Sequence, residues 1–155
     1  MDRSVEEIFE DLGPEATIFK LLDPEERRNV SGLFDLRKYK AGAVVFEDSE
    51  KIGFMGIIVS GSLKFERKSS LTNNPIILAL LGRGSHVGDV PMGEDRDSLG
   101  RTSALEDTNM LVVSNDKLDS FMLEHPQTGI KILKGASRVL RIRLKNAIDK
   151  IVHLS

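Results

Sequence analysis

The sequence contains no cysteine. Disulfide frameworks, thiolate metal sites and cysteine nucleophiles are therefore excluded, and the absence suits a reducing compartment, so a cytoplasmic location is expected. No segment approaches the roughly 20 apolar residues of a membrane span. The opening MDRSVEEIFEDLGPEAT carries acids where a signal peptide needs a basic start and an apolar run. Neither a membrane nor an exported form is expected. Histidine is sparse and scattered, at His86, His125 and His153. The clustered imidazoles and carboxylate that a cupin-like metal centre would need are missing, and no metal is expected.

Several nucleotide and catalytic signatures are absent too. There is no G-x-x-x-x-G-K-[ST] cradle for a nucleoside triphosphate. The segment GRGSHVG follows an apolar run, but its glycines at 82, 84 and 88 are spaced one residue too long for G-x-G-x-x-G, and no long helical pattern follows. No serine lies in a nucleophile elbow, and the carboxylates sit where helix starts and turns explain them. These absences point away from an enzyme.

What is present is 155 residues with 40% hydrophobic content, enough for one sizeable core and too little for two ordinary domains. The two ends differ in charge. Residues 1–26 carry nine acidic side chains, whereas residues 131–155 carry seven Lys or Arg against the single Asp149. Solvated helical faces account for both, and without a reading motif the basic end gives no direct nucleic-acid partner.

Ser4 with Glu7 predicts a capping box, and Asp23-Pro24-Glu25-Glu26 places cap, first-turn proline and negative charge in the order a helix start requires. From Tyr39 to about Val113 the texture changes to brief apolar runs: AVVF, FMGIIVSGSLKF, PIILALLG and TSALEDTNMLVV. Their β-branched content, the Asn73-Asn74 turn and the frequent glycines predict many short strands. Ser114, Asn115 and Asp116 then offer a cap for KLDSFMLE, His125-Pro126 interrupts it, and a longer helix follows from about Gln127. The expected organisation is helices over residues 1–36, a roll over 37–114 and helices over 115–155. In the last helix Ala136, Leu140, Leu144, Ala147, Ile151 and Leu154 recur at threes and fours, with Val139, Ile142, Ile148 and Val152 widening the stripe. That is more apolar surface than a small roll needs to cover. We expect Ala136, Leu140, Leu144, Ala147 and Ile151 to form a homodimer face, the alternative being packing on their own domain.

The order of these pieces resembles the cyclic nucleotide-binding domain of catabolite-activator-type regulators, cyclic-nucleotide-dependent kinases and gated channels. The resemblance runs from about Phe19 to Leu144. Its most specific parts are Gly42, the I-V-S-G-S-L turn at Gly61, the L-G-x-G-x-x-x-G-[acid] stretch at residues 81–89 and A-x-E-D-T at residues 104–108. It implies a mainly β fold with flanking helices: a double-stranded β-helix, or jelly-roll-like β-roll, with N-terminal helices and a long C-terminal helix. It also implies a regulatory, non-enzymatic sensor with cAMP or cGMP as ligand. Activators of the family continue into a helix-turn-helix where this sequence ends at Ser155, so no DNA-binding domain is expected.

In that family a phosphate-binding cassette begins at a glycine-acid pair and closes with R-[ST]-A. Main-chain N–H groups surround the phosphate, an arginine neutralises it and a carboxylate takes the ribose hydroxyl. Carried over, the resemblance puts ligand-binding residues at Val87, Gly88, Asp89 and Val90, and again at Ser98, Leu99, Gly100, Arg101 and Thr102. Counting back from Ala104, Glu106, Asp107 and Thr108 lays the family arginine on Ser98. Two other arginines are candidates for the charge. Arg96 stands among Glu94, Asp95 and Asp97. Arg101 belongs to the opposite strand face if Ser98 and Gly100 look inward. A longer cassette taking Arg101-Thr102-Ser103 as R-[ST]-A is the alternative alignment. The other reading of the whole chain is a ligand-free roll that serves as a dimerisation module or docks a protein partner.

Overall fold

The computed structural model describes residues 3–90 and 97–154. The chain opens with helix α1 (Val5–Leu12), two single 3-10 turns (Gly13–Glu15, Thr17–Phe19) and α2 (Pro24–Ser31). At α2 the capping box is complete, Asp23 accepting from the Glu26 N–H and Glu26 accepting from the Asp23 N–H. At α1 only the forward half forms among the described residues: the Ser4 hydroxyl accepts from the Glu7 N–H at 3.1 Å.

Eight strands follow: β1 (Asp35–Tyr39), β2 (Val44–Phe46), β3 (Phe54–Ser60), β4 (Leu63–Lys68), β5 (Pro75–Leu81), β6 (His86–Val87), β7 (Arg101–Ala104) and β8 (Thr108–Ser114). They form two antiparallel sheets, in the orders β1-β8-β3-β6 and β2-β7-β4-β5. This is the expected β-roll with N-terminal helices and a long C-terminal helix. The sheet begins at Asp35, four residues before the strand texture becomes visible at Tyr39. DLRKY is too polar to announce a strand; it is an outer strand whose pairing to β8 supplies what composition does not.

Strands β3 and β8 read as nearly continuous apolar runs because both of their faces are covered. Met55, Ile57, Leu111 and Val113 turn toward the helices, into a core with Phe9, Phe19, Phe34, Leu118 and Ile132. Ile58, Met110 and Val112 turn into the roll, against Phe46, Leu63, Val87 and Ala104. The helical core centres on three rings: Phe9 lies 5.4 Å from both Phe19 and Phe34, and those two are 5.9 Å apart.

The motifs at Gly61 and at residues 104–108 meet in space. Gly61 has φ +89°, and a Cβ there would stand 2.5 Å from the Asp107 carbonyl oxygen and the Thr108 hydroxyl. In return Thr108 Oγ1 accepts from the Ser62 N–H, Asp107 from the Ala41 N–H, and Glu106 from the Ser62 hydroxyl. The Asp107 and Thr108 side chains thus satisfy turn N–H groups, and Glu106 takes the Ser62 hydroxyl.

Helix α3 (Asn115–Glu124) is capped by Ser114, and α4 (Pro126–His153) starts after His125 with proline in its first turn. The front half of α4 buries Gly129, Ile132, Gly135, Ala136 and Val139. Gly135 lets it press onto the Ile18 backbone, where a Cβ would come within 2.2 Å of the carbonyl oxygen. Lys131 and Thr128 of this half bond to Glu26 of α2 at 2.6 and 3.0 Å. Those bonds hold the Glu26 carboxyl down at about 2, the Lys131 hydrogen bond being the main cause. Ala136 is therefore a correction to the expected dimer face. It lies inside the chain's own core, because the helix crosses the 3-10 turns at this point. Leu140, Leu144, Ala147 and Ile151 lie beyond the crossing and stay exposed.

Candidate functional site

The segment proposed to start the cassette leaves β6 along the open side of β3. Val87 pairs with Gly56 and His86 with Ile57. The chain then turns sharply at Gly88, whose φ is +77°. A Cβ at this position would lie 2.4 Å from the Phe54 carbonyl oxygen and 3.2 Å from the Ile52 side chain, so only glycine lets the strand turn so close to β3. Val90 returns to the helical core, leaving Asp89 half-buried between two anchored neighbours.

The segment that closes the cassette is tied to the same stretch of chain. Ser98 exchanges main-chain hydrogen bonds with Ser49 and Glu50 at 2.9 and 2.8 Å, and Lys51 bridges to Asp97. Side chains then alternate. Ser98 is buried, Leu99 is 74% exposed, Gly100 is buried, Arg101 is exposed and Thr102 is buried. Gly100 presses against β4, where a Cβ would meet the Glu66 carbonyl oxygen at 2.6 Å and the Phe65 ring at 2.7 Å.

Of the sequence-derived candidates, the structure turns Val87, Ser98, Gly100 and Thr102 inward and turns Leu99 and Arg101 outward. Arg101, the first residue of β7, pairs with Glu47 at 3.6 Å on the solvent side. Ser98 donates its hydroxyl to the Gly100 carbonyl at 2.5 Å, a local bond that closes the turn. Arg96 lies outside the described residues.

One residue beside the cassette was not singled out from sequence. Arg143 of α4 reaches the roll and donates to the His86 carbonyl at 2.8 Å. Its charge reaches Asp89, without an ion pair between the two side chains. Burial pushes the Asp89 carboxyl above its usual range while the charge of Arg143 pulls it back; burial likewise lowers Arg143, and Asp89 opposes that shift. The His86 ring is 2% exposed and its Nδ1 has no hydrogen-bond partner among the described residues. Burial first, and the charge of Arg143 second, push its pKa down to about 3, so the ring is neutral. A signal for Arg143 does exist in the sequence: it continues the 132, 136, 139 spacing of the face that the helix buries. Six other Lys or Arg between residues 131 and 155 mask it.

Two surface clefts of the helical layer contain none of these residues. One is bounded by Glu6, Pro14 and Arg28, the other by Leu33, Lys117 and Glu124. Among the described residues no group of His, Asp and Glu side chains is placed to hold a metal ion, and no helix is long and apolar enough to cross a membrane.

Comparison with known proteins bears directly on this geometry. The family model described as "Cyclic nucleotide-binding domain" matches residues 36–125, more than half of the chain. The chain belongs to the cyclic nucleotide-binding domain family. Among solved structures, a cyclic nucleotide-binding domain from Methylobacillus flagellatus superimposes with a TM-score of 0.86 at 18% identity, covering 97% of this chain and 86% of that one. The regulatory subunit of a cAMP-independent protein kinase A from Trypanosoma brucei has a TM-score of 0.72 at 15% identity, covering 97% of this chain and 52% of that one. Both are likenesses of fold. A curated lysophospholipase from Phaeosphaeria nodorum is 25% identical over 113 residues, 73% of this chain. The matching region is 7% of that enzyme's length.

Proposed function

We propose that this cyclic nucleotide-binding domain is a non-catalytic regulatory module. It takes a small anionic ligand, cAMP or cGMP first, on the segments 87–90 and 98–102, and passes occupancy to α4. The observation that carries this reading is the Gly88–Asp89 turn, a main-chain bend that tolerates no Cβ and whose carboxylate lies within reach of the charge of Arg143. Main-chain N–H groups at such a bend and a carboxylate suited to a ribose diol are the recognition chemistry a cyclic nucleotide needs. The exposed Leu140, Leu144, Ala147 and Ile151 of α4 are the proposed homodimer face, the helix carrying the signal to its mate. A cytoplasmic location and the absence of a direct nucleic-acid partner complete the proposal.

A second reading, a ligand-free roll used for dimerisation or protein docking, is favoured by Ser98. Its hydroxyl is committed to Gly100 and brings no charge. The Trypanosoma brucei relative is described as cAMP-independent, and a triple mutant of it, in which one change replaces threonine with arginine, is described as bound to cAMP. Thermal unfolding with and without saturating cAMP or cGMP separates the two readings. A ligand at about 100 times its Kd stabilises the folded state by about 2.7 kcal/mol. No shift with either nucleotide moves the assignment to the scaffold.

A further inference from the structure

We propose that Arg143 is the anion-binding cation of this domain: the charge missing at position 98 is delivered from α4, so a bound phosphate is gripped between the Gly88–Asp89 turn and the C-terminal helix. The proposal rests on reading the cassette as an anion site and names the residue that makes it one.

Neither Ser98 nor Arg101 is placed for the task. The Ser98 hydroxyl bonds the Gly100 carbonyl, and Arg101 is paired with Glu47 on the outer face. Arg143 is differently situated. It is half-buried and stands one helical turn beyond Val139, on the face that also carries Ile132 and Ala136 into the core. A long cation at a core-facing position costs desolvation and is retained only where counter-charge or hydrogen bonds compensate it. Among the described residues its compensation is incomplete. One of its five N–H groups has a partner, the His86 carbonyl, and Asp89 attracts it without forming a direct ion pair. Asp89 in turn accepts no hydrogen bond among the described residues. The neighbouring His86 ring is neutral and adds no competing positive charge.

A planar guanidinium whose remaining donors are unpaired among the described residues, held at β6 next to the Gly88–Asp89 turn, matches the bidentate demand of a phosphate. The placement also explains how occupancy would be felt. A cassette arginine would register the ligand inside the roll, whereas an arginine on α4 makes the ligand a direct tie between β6 and the helix. The ligand then favours whichever helix position completes the grip.

The test measures binding of cAMP, cGMP and the uncharged control adenosine to the full chain by calorimetry. Arg143→Ala is expected to weaken cAMP and cGMP about ten- to hundredfold, the worth of one charge-assisted contact, and to leave adenosine unchanged. Adding Ser98→Arg to Arg143→Ala should recover most of the loss. If Arg143→Ala does not fold, Arg143→Gln, which keeps the length of the side chain, decides the same question. Wild-type affinity in the Arg143 variant overturns the proposal. So does an equal loss for adenosine without rescue, which marks a merely structural role, or a loss specific to Arg96→Ala. If wild type binds neither nucleotide, the anion-site reading fails and the proposal falls with it; if wild type binds and only the Arg143 arm fails, that reading stands.

Discussion

The His86 ring gives a direct measure of how completely the Arg143 side chain and the roll exclude water from β6. The ring is buried and within reach of the Arg143 charge, both of which oppose protonation. Its pKa falls from 6.5 to about 3 on folding, so between those values the unfolded chain binds a proton that the native chain refuses. Stability is complete above about pH 6.5 and declines by about 1.4 kcal/mol per pH unit as pH falls toward 3. From pH 7 to pH 5 the loss attributable to this one ring is about 2 kcal/mol, or about 4–8 °C in Tm for a domain of this size. Urea unfolding followed by circular dichroism at several pH values, on wild type and His86→Leu, isolates the effect. The leucine keeps an apolar ring-sized filling and has no proton to take up, so the mutant curve should be flatter by that amount while the two agree within about 1 kcal/mol near pH 7. Glu26 does not confuse this window, because its depressed carboxyl loses its contribution only below 4.5. Parallel stability curves from pH 7 to 5 would show that the ring reaches water or a partner in the native state, and the burial of His86 described above would be refuted.

Three further outcomes are expected. Ser98→Arg in the wild-type background should raise cAMP or cGMP affinity at least about tenfold by titration calorimetry, while Arg101→Ala changes it less than about twofold; the reverse result would establish the longer-cassette alignment. Gly88→Ala should destabilise the domain by about 2–4 kcal/mol in urea unfolding, combining the cost of a left-handed φ with a forced shift of the Phe54 carbonyl, and an effect below about 0.5 kcal/mol would deny the close approach. Leu144→Ser with Ile151→Ser should convert a homodimer to monomer in sedimentation velocity while changing monomer stability by less than about 0.5 kcal/mol, since both side chains are exposed at 61% and 64%; an unchanged sedimentation coefficient would remove α4 as the dimer face.

Local chemistry made much of this protein legible in its sequence. Caps at Asp23 and Ser114, the break at His125-Pro126 and the turn at Asn73 act through neighbouring backbone groups, so residue type and spacing suffice to place them. The opposed directions of Ser98 and Arg101 agree with the alternation expected from the sequence, although the strand begins only at Arg101 and the turn closed by the Ser98 hydroxyl sets the direction of Ser98. Tertiary structure decided what depends on distant partners. An apolar stripe on α4 states that something covers it but not what, and only the close crossing over Ile18 assigns Ala136 to the chain's own core while leaving Leu144 outside. The meeting of Arg143 with Asp89 spans 54 residues, the difference between 143 and 89. No propensity or period links the two positions. Their encounter arises because α4, pinned by Gly135 and by the Glu26–Lys131 pair, carries the Arg143 side chain to the His86 carbonyl, within reach of the Asp89 charge.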